Sequence, residues 1–347
     1  MIGPAPRRFA FVLAMVLGCG RAVPEARPTT TDPPRASSPE PRSEAAPSPV
    51  PSAPPPREDA PAARFPAPRR LVAIGDVHGD VQATRRALRL AGAIDASDRW
   101  VGGDLVVVQV GDLLDRGDDE PEILSLLDRL EEEASAAGGA LHVLVGNHET
   151  MNAMGDFRYV TEDGFRDFAN VHDGASFPAI ERAPEPVRGR LHTFLPGGRW
   201  ARWFASHPAV LVVGDTVFVH AGLHAADARR GPDAVNADVA RFLASGEGSE
   251  EPALGPEGPL WTRDFVLSPS PGTCAEARAA VAAVGASRMV VGHTVQAAGI
   301  TPYCDGVVQA IDVGLSRYYG GPTEVLVIER GSVSVLREPG ASPAGAR

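Results

Sequence analysis

From residue 69 onward the apolar residues fall into short runs, each closed by polar residues. LVAIGD (71–76), LVVVQVGD (105–112) and LHVLVGNH (141–148) read as buried strands, whereas VQATRRALRLAGAI and EPEILSLLDRLEEEASAA between them have helical spacing. Strands joined by helices in this order predict βαβαβ units with mainly parallel strands, buried on both faces. Residues 152–206 are less regular and read as a largely helical insertion that lines a site or covers an edge. Apolar periodicity returns in AVLVVGDTVFVHAG (209–222), a strand pair turning at Gly214-Asp215. Residues 225–260 read as loop and short helix. A helical AEARAAVAAVG then leads to SRMVVGHT (287–294), VVQAIDVG (307–314) and a hairpin, EVLVIERGSVSVLRE (324–338). The expected class is α/β, with helices on the outer faces and no internal repeat.

The segment before residue 69 has a different pattern. Arg7 and Arg8 precede the apolar stretch FAFVLAMVL, the layout of a secretory signal peptide and too short for a membrane span. It ends at Val16-Leu17-Gly18-Cys19, which resembles the lipobox of bacterial lipoproteins. Cleavage before Cys19 and its lipidation would tether the chain to a membrane of the cell envelope; ordinary secretion is the alternative. Residues 20–68 are crowded with Pro, Ala, Ser and Arg and lack the apolar residues for a core, so they read as a spacer. The expected division is a signal peptide at 1–19, a linker at 20–68, a catalytic domain at 69–338 and a flexible tail at 339–347.

The 347 residues carry 33 basic and 44 acidic side chains, a formal net charge of −11, and every basic residue is arginine. Without a basic block, nucleic acid is not an expected partner. Cys274 and Cys304 are the cysteines of the folded part. One disulfide between them in an exported protein and two free thiols are both open readings.

The strand ends carry the candidate chemistry. Five apolar runs close on metal-ligand residue types: Asp76 and His78, then Asp112, Asn147, His220 and His293. In α/β folds the carboxyl ends of strands collect binding residues. Nitrogen and oxygen donors of this kind suit divalent Mn, Fe or Zn, and a pair of ions needs a bridging anion, for which Asp112 is the candidate. Taken one at a time, each residue is as well explained as a cap, a turn or a hydrogen-bonded histidine. Five runs ending alike, with adjoining glycines, make that account a poor one.

GDVHGD, GDLLDRGDDE, GNHE, VFVHAGL and VVGHT resemble the calcineurin-like metallophosphoesterases. Together with GNHETMNAMGDFRYV, GPLWTRDF and IDVG they resemble, more narrowly, the Shewanella-like group of the phosphoprotein phosphatase branch, over roughly residues 70–335. The resemblance implies two central mixed sheets flanked by helices and a dinuclear site. Asp76 and His78 would bind one metal, Asp112 would bridge, and Asn147, His220 and His293 would bind the second. His148 would sit beside the leaving group with Asp115 as its acidic partner, and Arg116 and Arg263 would grip phosphate. The implied reaction is attack of a metal-activated hydroxide on a phosphate monoester of a phosphoprotein. Small phosphoesters such as dinucleoside polyphosphates are the alternative substrates, and a catalytically silent phosphoprotein-binding module is the alternative class. His207 and His224 read as peripheral, Asn152 and Arg158 as packing or access residues, and Asp312 and Glu149 as supports of the site.

Overall fold

The computed structural model describes residues 61–338. The expected signal peptide, Cys19, most of the spacer and the tail lie outside the described residues. Eleven strands occur among the described residues: β1 (Arg64–Phe65), β2 (Arg70–Ile74), β3 (Val106–Gln109), β4 (Ala140–Val143), β5 (Val210–Val213), β6 (Thr216–Val219), β7 (Arg288–Val291), β8 (Thr301–Tyr303), β9 (Val308–Ala310), β10 (Glu324–Glu329) and β11 (Ser332–Arg337). They form a five-stranded sheet, β11-β10-β2-β3-β4, and a six-stranded sheet, β1-β5-β6-β7-β9-β8.

Period-two alternation stacks the two sheets. Leu71 and Ala73 of β2, Leu326 and Ile328 of β10, Leu211 and Val213 of β5, Phe218 of β6 and Val290 of β7 share one buried cluster between them. Their neighbours Val72, Ile74, Val325, Val327, Val210, Val212, Val217 and Met289 belong to the outer core instead. That is why these strands read as unbroken apolar runs: one set of side chains meets the other sheet, the alternate set the surrounding elements.

β2, β3 and β4 are mutually parallel, as are β6, β7 and β9. Parallel strands deliver all their carboxyl ends to one edge, so each sheet brings a row of strand ends to a common place. The hairpin at 209–222 and the final hairpin are antiparallel, which makes both sheets mixed. The insertion is mainly helical, including Glu185–Phe194 and Arg199–Ala205. No helix among the described residues is long and apolar enough to cross a membrane.

Part of the expected linker belongs to a sheet. Residues 61–68, part of the expected linker, include β1, which pairs in parallel with β5. Val212 donates to the Ala63 carbonyl and Gly214 to the Phe65 carbonyl, while the Phe65 ring lies 4.4 Å from that of His142. A Pro-rich composition does not disclose a two-residue strand whose partner lies some 150 residues away.

Cys274 and Cys304 form a disulfide that joins helix Pro271–Ala283 to the turn between β8 and β9. The bridge closes a loop of sequence separation 30. In the chain-entropy account, replacing both cysteines by serine lowers unfolding stability by about 3–4 kcal/mol. Urea unfolding of the variant checks this; an unchanged midpoint in oxidising buffer would refute it.

Candidate active site

The six metal-type residues converge at the strand ends of both sheets. β2 leads to Asp76 and His78, β3 to Asp112, and β4 to Asn147 and His148 at the start of helix Asn147–Ala153. β6 leads to His220 and β7 to His293. All six are at most 7% exposed. Local geometry permits this crowding. A Cβ on Gly292 would lie 2.2 Å from Asp76 Oδ1, and one on Gly146 would lie 2.3 Å from Asp112 Oδ1. The two glycines leave the room that the carboxylates occupy.

His78, Asp112, Asp115, Arg116 and His293 all have positive φ, between 41° and 69°. Such conformations cost non-glycine residues on the order of 1–3 kcal/mol each and persist only where surroundings over-determine them. Glu149 supplies much of that determination. Its carboxylate accepts from the backbone N–H of Asp112 (2.9 Å), Leu113 (2.9 Å), Leu114 (3.3 Å) and Gly146 (2.7 Å). It therefore clamps the loop after β3 to the loop after β4.

Asp112 Oδ2 is the centre of the cluster, 3.7 Å from His78 Nε2, 3.8 Å from His148 Nε2 and 3.3 Å from His220 Nε2. Two groups have the compactness of a metal site: His78, Asp112 and His148, and Asp112, His220 and His293. In each, the donor atoms lie within 4.8 Å of one another. Asp112 is common to both, as a bridging ligand must be. Asp76 stands beside the first group, its Oδ2 4.0 Å from His78 Nε2 and accepting from the His293 N–H at 3.0 Å.

The donor chemistry fits cations. His78 Nδ1 lies 3.0 Å from the Leu114 carbonyl and His220 Nδ1 2.9 Å from that of Val110, so each donates there and turns an Nε2 lone pair inward. His293 Nε2 likewise faces the Trp261 carbonyl at 3.0 Å, which turns its Nδ1 lone pair inward. His220 Nε2 then meets Asn147 Oδ1 at 2.9 Å, His293 Nδ1 at 3.2 Å and Asp112 Oδ2 at 3.3 Å, a convergence of acceptors. Asp76 Oδ1 is buried without a hydrogen-bond partner. Two cations, one in each group, would satisfy these lone pairs.

The titration behaviour agrees. Burial pushes His78 down to about 3, and burial together with His220 pushes His293 down to about 2, so both imidazoles are neutral near pH 7 and keep a lone pair for a cation. Burial raises Asp76 well above the usual range, with Asp312 and Asp112 adding repulsion. Asp312 rises to about 6 and Glu149 to about 7, again through burial first and the Asp112 charge in addition. Burial alone would raise Asp112 and lower His220. Their mutual attraction wins, so Asp112 is depressed and His220 raised. Divalent cations would relieve this crowding of acids.

Beside the metal-type cluster stands an acid–imidazole dyad. His148 Nδ1 and Asp115 Oδ2 are 2.5 Å apart. Burial opposes charging His148, but Asp112 and Asp115 overcome it and raise its pKa. Arg116 presents its guanidinium between the rings of Tyr159, Tyr319 and Tyr318, at 4.8, 5.1 and 5.6 Å, and its buried Nε has no hydrogen-bond partner. Arg263 reaches the same mouth, where Nη1 donates to the His293 carbonyl (2.8 Å) and Thr294 Oγ1 (2.9 Å).

The remaining candidates separate cleanly. Asn152 joins the dyad, donating to Asp115 Oδ1 (3.0 Å) and to the His148 carbonyl (2.9 Å). Arg158 forms an exposed pair with Asp156. His207 pairs with Glu131 and packs on Trp203, and His224 faces Thr262, Asp264 and Glu276. Sequence reasoning missed Arg190, Glu120 and the three tyrosines. Glu120 closes the GDLLDRGDDE motif and was in view. Nothing local singles out Arg190 within ERAPEPVRGR.

Two stacked mixed sheets whose strand ends gather two compact sets of metal-ligand side chains define a metallophosphoesterase. A profile of the family described as calcineurin-like phosphoesterase matches residues 69–297, and the chain belongs to that family. Within it, the chain is 40% identical over 303 residues to Shewanella-like protein phosphatase 2 of Arabidopsis thaliana, covering 78% of this chain and 77% of that one. It is 29% identical to Shewanella-like protein phosphatase 1 of Plasmodium berghei, covering 73% and 69% of the two chains. Among solved structures it resembles the cold-active protein-tyrosine phosphatase of a psychrophilic Shewanella, with a TM-score of 0.65, 24% identity, and coverage of 79% of this chain and 82% of that one. The protein is a metal-dependent phosphoesterase.

Proposed function

We propose that this phosphoesterase is a phosphoprotein phosphatase with a preference for phosphotyrosine. The observation that carries the reading is the Asp115–His148 dyad and the tyrosine-flanked Arg116, set against the paired ligand groups that share Asp112. Two divalent ions, held by Asp76, His78 and Asp112 on one side and Asp112, Asn147, His220 and His293 on the other, would supply Lewis-acid polarisation and an acidic water. Arg116 offers a planar fork to two phosphoryl oxygens. Its stacking against tyrosine rings holds that fork in place. Arg263 adds positive charge on the His293 side. As a water oxygen bonds to phosphorus and the ester P–O bond breaks, His148 Nε2 gives its proton to the leaving oxygen; a proton from the attacking water replaces it, and the products are an alcohol or phenol and inorganic phosphate.

The rim of the mouth supports an aryl ester. Tyr159 is 41% exposed and Tyr318 64% exposed, and both rings stand over Arg116. Open aromatic faces beside the phosphate fork favour an aromatic leaving group. Phosphate release from phosphotyrosine peptide, phosphoserine peptide and dinucleoside tetraphosphate, with and without Mn, Zn or Mg, tests the reading. Release that requires metal and is fastest on phosphotyrosine is expected. Faster cleavage of the tetraphosphate would favour the small-molecule alternative, and silence on every ester the binding module. Replacing Tyr159 and Tyr318 together by alanine lowers kcat/KM on phosphotyrosine peptide by about 10-fold, the worth of one or two aromatic contacts. The same variant should lose only a fraction as much on phosphoserine peptide, which feels the loosened Arg116 but not the lost aryl contact; equal losses on both would remove the basis for the aryl preference.

A further inference from the structure

Helix Glu185–Phe194 of the insertion carries a fully buried arginine. Every N–H of the Arg190 guanidinium has an acceptor. Nε donates to Asn152 Oδ1 (2.8 Å). Nη1 donates to Glu120 Oε2 (2.5 Å) and the Gly164 carbonyl (3.0 Å). Nη2 donates to Glu120 Oε1 (2.9 Å) and Asp115 Oδ1 (3.2 Å). Five donors meet five acceptors, the full capacity of the group. The rings of Phe194, Phe168 and Phe157 surround its centre at 4.9, 5.5 and 5.7 Å.

The acceptors are not a random set. Asp115 holds His148, Asn152 bonds both Asp115 and the His148 carbonyl, and Glu120 Oε1 accepts the Asp115 backbone N–H at 2.6 Å. Asp115 itself has a φ of 69°, a conformation that needs external support. Desolvating an arginine and two carboxylates is unfavourable, and an apolar cluster of the same volume would stabilise a fold at least as well. What the ion network adds is direction. Arg190 fixes the far oxygen of Asp115, which leaves the near oxygen free to fix the imidazole.

We infer that Arg190, together with Glu120, is a positioning residue for the leaving-group acid, orienting Asp115 so that His148 Nε2 faces the departing oxygen. This rests on the phosphatase reading above. The insertion is then part of the catalytic machinery and not a cover over a sheet edge.

The test uses the metal-loaded full chain with Arg190→Lys, and the double variant Arg190→Met/Glu120→Gln, which removes the buried pair together. The first readout needs no turnover: the low-field proton resonance of His148 Nδ1–H, assigned by its loss in Asp115→Asn. It should move or broaden in both variants while two metal ions per chain are retained. The second readout is leaving-group dependence. On an alkyl phosphate such as a phosphoserine peptide, kcat of the double variant falls about 100-fold, the scale on which supporting contacts act. On p-nitrophenyl phosphate, whose leaving group needs little acid assistance, it falls less than about 10-fold, with KM within about twofold. A folded double variant with an unchanged resonance, or with equal losses on both esters, overturns the proposal. Failure of both variants to fold makes Arg190 a stability residue and overturns it as well. A wild-type chain that hydrolyses neither ester overturns the phosphatase reading, an outcome distinct from those two because the resonance is read without turnover.

Discussion

Replacing Asp112 by asparagine abolishes most phosphate release, a fall of at least about three orders of magnitude or roughly 4 kcal/mol of transition-state stabilisation. Asp112 is the residue that both ligand groups share. Its Oδ2 faces three imidazole nitrogens within 3.8 Å, and its Oδ1 accepts the His148 N–H at 3.0 Å. An amide of the same shape can keep the second contact. It cannot bridge two cations, because one of its two heavy atoms is now a donor turned toward imidazole lone pairs. The variant should therefore be folded and poor in metal. Elemental analysis of the purified variant, run beside the phosphate assay, checks both halves. A variant that still holds two ions and keeps a tenth of the wild-type rate would remove Asp112 from the centre of the mechanism.

Replacing His148 by glutamine should lower kcat on unactivated esters by about 10²–10⁴-fold, the range of a positioned general acid. The two metals should stay. The geometry makes this a sharp test, since His148 Nε2 lies 3.8 Å from Asp112 Oδ2 and His148 belongs to one of the two compact ligand groups. If His148 is a ligand, the ion content falls toward one per chain and activated aryl phosphates suffer as much as alkyl ones. If it is the acid, content is unchanged and p-nitrophenyl phosphate suffers least. Asp115→Asn should follow the same pattern more weakly, because it removes the 2.5 Å partner and not the imidazole itself.

Much of the site was legible because ligands at strand ends are a local signal. Each of the runs ending at Asp76, Asp112, Asn147, His220 and His293 announces a strand by its apolar length and a ligand by the polar residue that closes it. Parallel order then forces those ends to one edge, and that edge is where the structure gathers them. The supports of the dyad were not legible for the opposite reason. Arg190 stands 70 or more residues from Glu120 and Asp115, in a segment whose charges resemble those of any exposed helix. Composition also assigned residues 64–65 to the linker, since β1 exists only through its pairing with β5. The cysteines left two readings open, and only the approach of the 271–283 helix to the 304–306 turn, with Cα atoms 5.1 Å apart, decides for a bridge.

The sequence by itself determined the α/β class, nine of the eleven strands found among the described residues, most helices, and the six ligand-type residues at the strand ends; Asp115, His148 and Arg116 stood out only through the resemblance of their motifs to the family. Hydrophobic period and residue chemistry are properties of neighbours along the chain, and the strands and the polar residues that close them are read from these. The tertiary structure decided which acceptors meet at His220, which arginine is buried behind Asp115, and which tyrosines frame Arg116. Those relations join residues far apart in the chain, and packing and desolvation select them only once both sheets and the insertion are in place.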